Sequence, residues 1–502
     1  MAIGVAFGLM GAFFMGGLYV AAALGCLSLI IMWFFSDAPL WNIMANKAWE
    51  GNTSFILVAV PLFILMGELM NRSGMGERMY ATISRWLRFL PGGLIHTNIA
   101  SCAIFAACSG SSVATSATIS RVSLPVFRAR GYNERLVIGS LAAGGTLGIL
   151  IPPSISLIIY GVLVEESIGR LYLAGFFPGF MLAGIFMLMI AITAMIWPNI
   201  APKESEGQSM FDMQQWRERI VSLLALLPVA GLIFVVLGTI YMGIATPTEA
   251  AAFGVSGALV IGILINADTI WRPAGAFVLR KTGLVNLLSG NAKIEVQQST
   301  LASMDEYNRV AKFTWEVMQA SFMSTIRTTG MIFLIILAAF TLSFAFARLG
   351  ISQDIADAIT NLNLNEITLV IVLVVFYLVL GTFMESFSML VTTIPILVPT
   401  LEQVGVDLVW FGIIMVILVE AALISPPEGI NLYVLHGVRQ DITRELAEAS
   451  GEEAQQGTIA DVWIGVMPFM ACMGITIALI IAFPDIALWL PDAVKGERMG
   501  GR

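Results

Sequence analysis

Ionic and metal-binding side chains are scarce in this chain, and each shortage removes a class of function. Only 12% of its 502 residues are Asp, Glu, Lys or Arg, where a soluble domain carries about 25%. Histidine occurs twice, at His96 and His436, far apart in sequence; this argues against a haem or zinc centre built on paired histidines, and against a histidine-based enzyme. Cys26, Cys102, Cys108 and Cys472 all lie in apolar stretches, where a buried small side chain is expected rather than a disulfide or metal ligand. No basic tract points to nucleic acid.

What is present is apolar. Hydrophobic residues make up 58% of the chain and the mean hydropathy is +0.87. Apolar runs of about 20 residues recur from end to end, the pattern of an all-α, polytopic membrane protein in a lipid bilayer. The segment Ala2–Phe35 has no Lys or Arg before it, so it reads as one retained helix over 3–34 and not as a cleaved leader. Further spans are expected at 53–70, 171–197, 219–239, 246–266, 325–347 and 461–483, with amphipathic arms at 75–90 and 351–365. The stretches 267–320 and 439–459 read as polar loops.

Two proline pairs organise the rest. Pro152-Pro153 follows Pro125, Pro426-Pro427 follows Pro399, and the two sets are offset by a constant 274 residues, an offset that Gly131 and Gly405 share. Proline pairs inside apolar stretches break membrane helices, giving broken spans over 134–168 and 408–438. Each is preceded by a stretch too long for one crossing. Leu94–Arg128 as a single helix would span roughly 50 Å against a core of about 30 Å. Two half-helices meeting at Ser109–Ser112 fit better, as a re-entrant hairpin over 94–128; a second over 367–401 has its tip near Gly381–Ser386. A break that recurs in two halves marks a secondary transporter built from repeats.

Charge placement points to opposite orientations for the two hairpins. Arg85, Arg88, Arg128, Arg130 and Arg135 cluster at the base of the first, and Glu366, Glu402 and Asp407 at the base of the second. Between Arg348 and Arg439 there is neither Lys nor Arg. The positive-inside rule then places the first base in the cytoplasm and the second outside, predicting an inverted repeat.

Each half pairs a hairpin tip with a helix break: Ser109–Ser112 with Gly148–Ser154, and Thr382–Ser386 with Ile424–Gly429 near Asn431. Freed carbonyls and serine hydroxyls are hard oxygen ligands suited to Na⁺, while half-helix N-termini suit a substrate carboxylate. Small residues at the tips also serve close helix packing. Glu68, Glu385, Glu420 and Glu428 lie in or beside apolar segments, where carboxylates are costly and so are functional candidates.

At these residues the chain resembles the large membrane subunit of tripartite ATP-independent periplasmic (TRAP) transporters. The likeness rests on Pro61–Met70, Ser109–Thr115, Gly131-Tyr132, Gly145–Ser154, Ala174–Gly179, Gly243–Ala250, Pro426-Pro427 with Gly429, and Phe483-Pro484 through Leu490-Pro491. It implies an elevator-type fold of the ion-transporter superfamily, in a bacterial inner membrane, importing an organic acid with Na⁺ as coupling ion and no other cofactor. It implies two partners, a small four-helix membrane (Q) subunit and a periplasmic substrate-binding protein. Carried onto this chain, one Na⁺ site comprises Ser109, Gly110, Ser111, Ser112, Gly148, Ile151 and Pro152. The other comprises Gly381, Thr382, Glu385, Ser386, Ile424, Ser425, Pro426 and Gly429. Substrate contacts are expected from Ser112, Thr115, Ser154, Ser388 and Asn431. Glu428 departs from the family pattern, which has an apolar residue there.

The expected division is scaffold and first arm (1–90), first transport half (91–168), scaffold with second arm (169–366), second transport half (367–438), and loop, last helix and tail (439–502). The alternative is a stand-alone Na⁺/dicarboxylate carrier of related fold.

Overall fold

The computed structural model describes residues 2–36, 41–202, 220, 222–265, 291–362, 364–382, 384–427, 429–450 and 457–495, among which there is no β-strand. Glu428 and the segments 203–219, 266–290 and 451–456 lie outside the described residues. Among the described residues, six helices are long and apolar enough to cross a bilayer, or seven spans if one bent pair counts as a crossing.

The N-terminal part comprises α1 (Ala2–Met15), α2 (Val20–Phe35), α3 (Trp41–Asn52), and α4 (Ala59–Arg72), which continues a 3-10 turn at Phe55–Val58. The single first helix expected over 3–34 is therefore two. Gly16-Gly17 divides it: Gly17 adopts φ +70°, a left-handed conformation that ends a helix at little cost to glycine. The first arm is α5 (Met75–Leu87).

The first hairpin consists of α6 (Leu94–Ser109) and α7 (Ser112–Ala129). Its two ends meet: the Leu94 N–H donates to the Tyr132 hydroxyl at 3.3 Å. The chain thus enters and leaves from one side. The broken span follows as α8 (Glu134–Leu150) and α9 (Ile155–Leu163), bent by 43° around a cis Pro152–Pro153 bond. Small residues on α8 let it lie against its neighbours backbone to backbone. A Cβ on Gly144 would fall 3.0 Å from Cys102 Cβ, and one on Gly148 3.3 Å from Ala106 Cβ.

The middle comprises α10 (Ile168–Ile196), α11 (Leu227–Tyr241), α12 (Pro247–Ile265), α13 (Asn291–Arg348) and the second arm α14 (Ile351–Thr360). Residues 291–320 were expected in a polar loop, but they form one helix with the span that follows. Polarity does not stop a helix, and between Gly290 and Gly330 there is neither glycine nor proline.

The second hairpin comprises α15 (Glu366–Leu380) and α16 (Ser386–Val404), joined across their faces by the Tyr377 and Thr393 hydroxyls at 2.5 Å. Then come α17 (Leu408–Ile424), a cis Pro426–Pro427 bond, and α18 (Ile430–Ser450). Helix α18 runs to Ser450, so residues 439–450 are helical where a loop was expected. The last elements are α19 (Ile459–Ala482) and α20 (Asp485–Lys495).

The 274-residue offset of the prolines carries into the structure. Helix α8 and helix α17 begin and end at matching positions. Asn133 and Asp407 cap them, Asn133 accepting from Leu136 N at 3.2 Å and Asp407 from Val409 N at 2.9 Å, each cap contributing about 1 kcal/mol. Gly131 and Gly405 are both left-handed. Helix α19 contacts the starts of both broken spans at its opposite ends. Arg135 Nε lies 2.9 Å from Asp461 Oδ1 at one end, and Trp410 Nε1 donates to Ile480 O at 3.0 Å at the other.

Candidate functional site

The first tip is a tight oxygen-rich turn. Gly110 takes φ +59° and so reverses the chain between α6 and α7. Ser111 caps α7, its hydroxyl accepting from Ala114 N at 3.4 Å. The Ser109 and Thr115 hydroxyls are 2.6 Å apart. Ser112, the first residue of α7, is 3% exposed, and its buried hydroxyl has no partner among the described residues. The first break lies against this tip. A Cβ on Gly148 would be 3.6 Å from the Ser111 carbonyl carbon, and one on Gly110 would be 3.6 Å from Pro153 O. Ile151 terminates α8 with its N–H on Leu147 O at 2.9 Å, just before Pro152.

The second tip is built similarly with a carboxylate added. Gly381 ends α15 so close to α17 that a Cβ would be 2.5 Å from Ala422 Cβ. The Thr382 hydroxyl donates to Val379 O at 2.7 Å. Glu385 caps α16, its Oε2 accepting from Ser388 N at 3.1 Å and from Ser388 Oγ at 3.2 Å. Ser386 stands 274 residues after Ser112 and, like it, opens its helix with a buried hydroxyl lacking a partner among the described residues. The second break runs from Ile424 through Ser425 and Pro426 to Gly429, whose N–H donates to Ser425 O at 2.9 Å. Gly429 folds back on α17, a Cβ there falling 2.7 Å from Leu423 O.

Both tips border one cavity of about 660 Å³. Ser109–Ala114 come from the first hairpin, Glu385–Phe387 from the second, and Ile149, Ile155 and Leu423 from the helices flanking the breaks. Helices α4 and α13 complete the wall with Ile64, Glu68, Asn71, Thr328 and Ile332. A smaller space of about 400 Å³ lies between Gly381, Met384 and Glu385 on one side and Ala422 and Leu423 on the other.

Of the residues expected to touch substrate, Ser112 lines the cavity. The others are placed behind it. Thr115 bonds to Ser109, and Ser154 caps α9 by accepting from Leu157 N at 3.2 Å. Ser388 is engaged with Glu385. Asn431 links the halves, donating to Ser116 Oγ at 2.9 Å and Ala142 O at 3.2 Å. The sequence reading did not find Asn71, Thr328 or Phe387. Asn71 was within reach, since it follows Glu68 by three residues on a helix and so shares its face. Thr328 and Phe387 carry no signal in an apolar run.

The acidic candidates divide. Glu68 faces the cavity, accepting from Arg72 Nε at 3.2 Å and Ser324 Oγ at 2.8 Å. Glu420 is 0% exposed inside α17, and neither of its carboxylate oxygens has a hydrogen-bond partner among the described residues. No group of three or more His, Cys, Asp or Glu able to hold a metal ion occurs among the described residues. The oxygen sets at the tips are hydroxyls and carbonyls, joined at the second tip by the Glu385 carboxylate, which suit an alkali cation.

The chain matches the family model described as tripartite ATP-independent periplasmic transporter, DctM component, over residues 7–486. It is 30% identical over 502 residues to the C4-dicarboxylate TRAP transporter large permease protein of Vibrio cholerae, covering 99% of each chain. It is 28% identical over 495 residues to the sialic acid TRAP transporter large permease protein of the same organism, covering 98% of this chain and 99% of that one. Among solved structures, the YdaH transporter of Alcanivorax borkumensis matches with a TM-score of 0.56 at 15% identity, over 96% of this chain and 99% of that chain. At that identity the likeness is one of fold.

Proposed function

We propose that this chain, which belongs to the tripartite ATP-independent periplasmic transporter DctM component family, is the large membrane subunit of a Na⁺-driven importer of an organic acid. The observation that carries the reading is one cavity bordered by both hairpin tips, by both flanks of the first helix break and by the upstream flank of the second. Its small subunit is a four-helix membrane protein, a periplasmic binding protein delivers the substrate, and the assembly sits in a bacterial inner membrane.

Na⁺ binds at each tip. Ser112 and Ser386 supply hydroxyls that lack protein partners among the described residues, and the neighbouring breaks supply backbone oxygens. Filling both sites orders the tips and presents the N-termini of α7 and α16 to the substrate carboxylate. Na⁺ and substrate then favour the same state, which is the thermodynamic content of symport.

Two features support an inverted, elevator-type arrangement. The broken spans start at opposite ends of α19, at Arg135 and Trp410. The cavity is also lined both by the hairpins and the flanks of the breaks and by α4 and α13, as needed if the first set carries substrate past the second.

The test is uptake by proteoliposomes holding this chain, its small subunit and its binding protein. An inward Na⁺ gradient drives accumulation, and replacement by K⁺ abolishes it. Ser111→Ala and Pro152→Ala both lower Na⁺-dependent uptake. Uptake indifferent to Na⁺ would sink the reading.

A further inference from the structure

None of the described residues lining the cavity is Lys, Arg or His. Two arginines stand just outside it, on helices that meet there. On α4 the cavity-lining residues Ile64, Glu68 and Asn71 repeat at helical spacing, and Arg72 follows Glu68 by one turn on the same side. Arg72 Nε donates to Glu68 Oε2 at 3.2 Å, while its two terminal nitrogens have no partner among the described residues. The Arg72 side chain is 39% exposed, so the wall that Glu68 belongs to reaches the surface here.

On α7, Ala114 lines the cavity. Thr118 and Arg121 follow it at i+4 and i+7, on one face of the helix. That face is turned toward α4, because the Thr118 hydroxyl donates to Asn71 Oδ1 at 3.4 Å. Arg121 lies one turn further on, exposed, with neither an ion pair nor a hydrogen bond among the described residues. Guanidinium groups are always charged and present forked N–H groups that match a carboxylate. A lone arginine at this depth could instead extend along lipid to the headgroups, but its face is the one that meets α4 and the cavity.

We infer that Arg72 and Arg121 form a second carboxylate subsite at the mouth of the cavity, which holds an organic-acid anion as it passes between the hairpin tips and the base of the first hairpin. The inference rests on the transport reading above. At the tips the acid faces helix N-termini and Na⁺; once Na⁺ departs, no cationic side chain lines the cavity, and the two guanidinium groups draw the acid outward.

The test reads the local potential with thiol reagents and needs no knowledge of the substrate. The complex with the small subunit, carrying Cys26→Ser, is placed in phosphatidylcholine nanodiscs in K⁺, so that the Na⁺ sites stay unfilled; Cys102, Cys108 and Cys472 are buried. Ala114→Cys, or Thr328→Cys on the facing wall, supplies the reactive thiol. The rate of anionic sulfonatoethyl methanethiosulfonate is compared with that of the cationic trimethylammonium-ethyl reagent. The anionic-to-cationic ratio falls about tenfold in Arg121→Gln and is kept in Arg121→Lys, which retains the charge. Arg121→Gln is decisive because Arg121 has no ion pair to break, whereas Arg72→Gln also unbalances Glu68. Succinate, as the probe carboxylate, slows both reagents, and ceases to do so when both arginines are replaced by Gln. A ratio unmoved by Arg121→Gln at both thiol positions overturns the inference, as does succinate protection that survives the double replacement. A ratio that falls to the Arg121→Gln value when phosphatidylglycerol replaces phosphatidylcholine gives the arginines to lipid headgroups and overturns it as well. Each of these outcomes leaves Na⁺-driven uptake standing, so the two readings fail separately.

Discussion

Arg439 and Glu134 form a two-pronged ion pair across 305 residues of sequence: Arg439 Nε donates to Glu134 Oε1 at 2.9 Å and Nη2 to Oε2 at 2.8 Å. Arg439 lies beyond the second helix break and Glu134 opens the first broken span, so the pair ties one half of the molecule to the other. Arg128 at the base of the first hairpin also donates to Glu134 at 2.8 Å, and Arg439 Nη1 reaches Thr458 O at 3.2 Å. Gly457 lies so close to the guanidinium that a Cβ there would fall 1.7 Å from Nη2.

Breaking this pair is expected to loosen the two halves. The Arg439 side chain is 5% exposed and that of Glu134 35%, so the loss should fall below the ~3–5 kcal/mol of a fully buried pair, at about 2 kcal/mol. Glu134→Gln and Arg439→Gln each lower the unfolding temperature of the purified complex by several degrees. The double variant loses little more than either single one, because both remove the same interaction. Full additivity would show that the pair is not coupled.

The hydroxyls of Ser112 and Ser386 should contribute comparably to Na⁺ binding. Ser112→Ala and Ser386→Ala each raise the Na⁺ concentration for half-maximal uptake, by about tenfold if one ligand contributes ~1.4 kcal/mol. A Na⁺ titration of uptake measures this directly. A shift in only one variant would leave a single ion site.

Gly67 on α4 touches the first tip. A Cβ there would be 2.3 Å from Ser109 O, too close for α4 and the tip to keep their contact. Gly67→Ala should therefore express and fold, since alanine favours helix, yet transport at a small fraction of the wild-type rate. Normal uptake would show that the tip can seat elsewhere.

Glu420 tests what a buried carboxyl does with no side-chain partner among the described residues. An unpaired ionised carboxylate inside the membrane domain is costly, so its neutral near-isostere should be tolerated. Glu420→Gln is expected to keep the unfolding temperature within a degree or two of wild type, while Glu420→Lys prevents stable expression. Fluorescence-detected size-exclusion chromatography of heated samples distinguishes these outcomes, and a large loss in Glu420→Gln would point to an interaction that requires the acid.

Much of this architecture was written in local chemistry. The hairpin tip at Ser109–Ser112 and the breaks at the proline pairs were legible because glycine and proline act on their own backbone, whatever packs around them. The same logic was not carried to Gly16-Gly17, where hydrophobicity alone suggested one helix and two formed. Helix α13 was hidden for the opposite reason: its polar first part shows no bilayer signal, and helix formation needs none. At the site, the tips could be found from sequence, but Thr328 and Ile332 on the facing wall could not. Those residues meet the tips only through tertiary packing. Asn431 was expected to touch substrate, whereas the structure has it donate to Ser116 and Ala142, partners that lie in the other half and leave no local signal.

Helix α19 has 24 residues and is therefore about 36 Å long. Holding Arg135 at one end and Trp410 at the other, it acts as a strut of fixed length between the two entrances. A strut does not stretch, so the distance between the two entrances is kept whichever of them is displaced. Spin labels at the two ends should report constant separation through a transport cycle, even as both shift relative to α4.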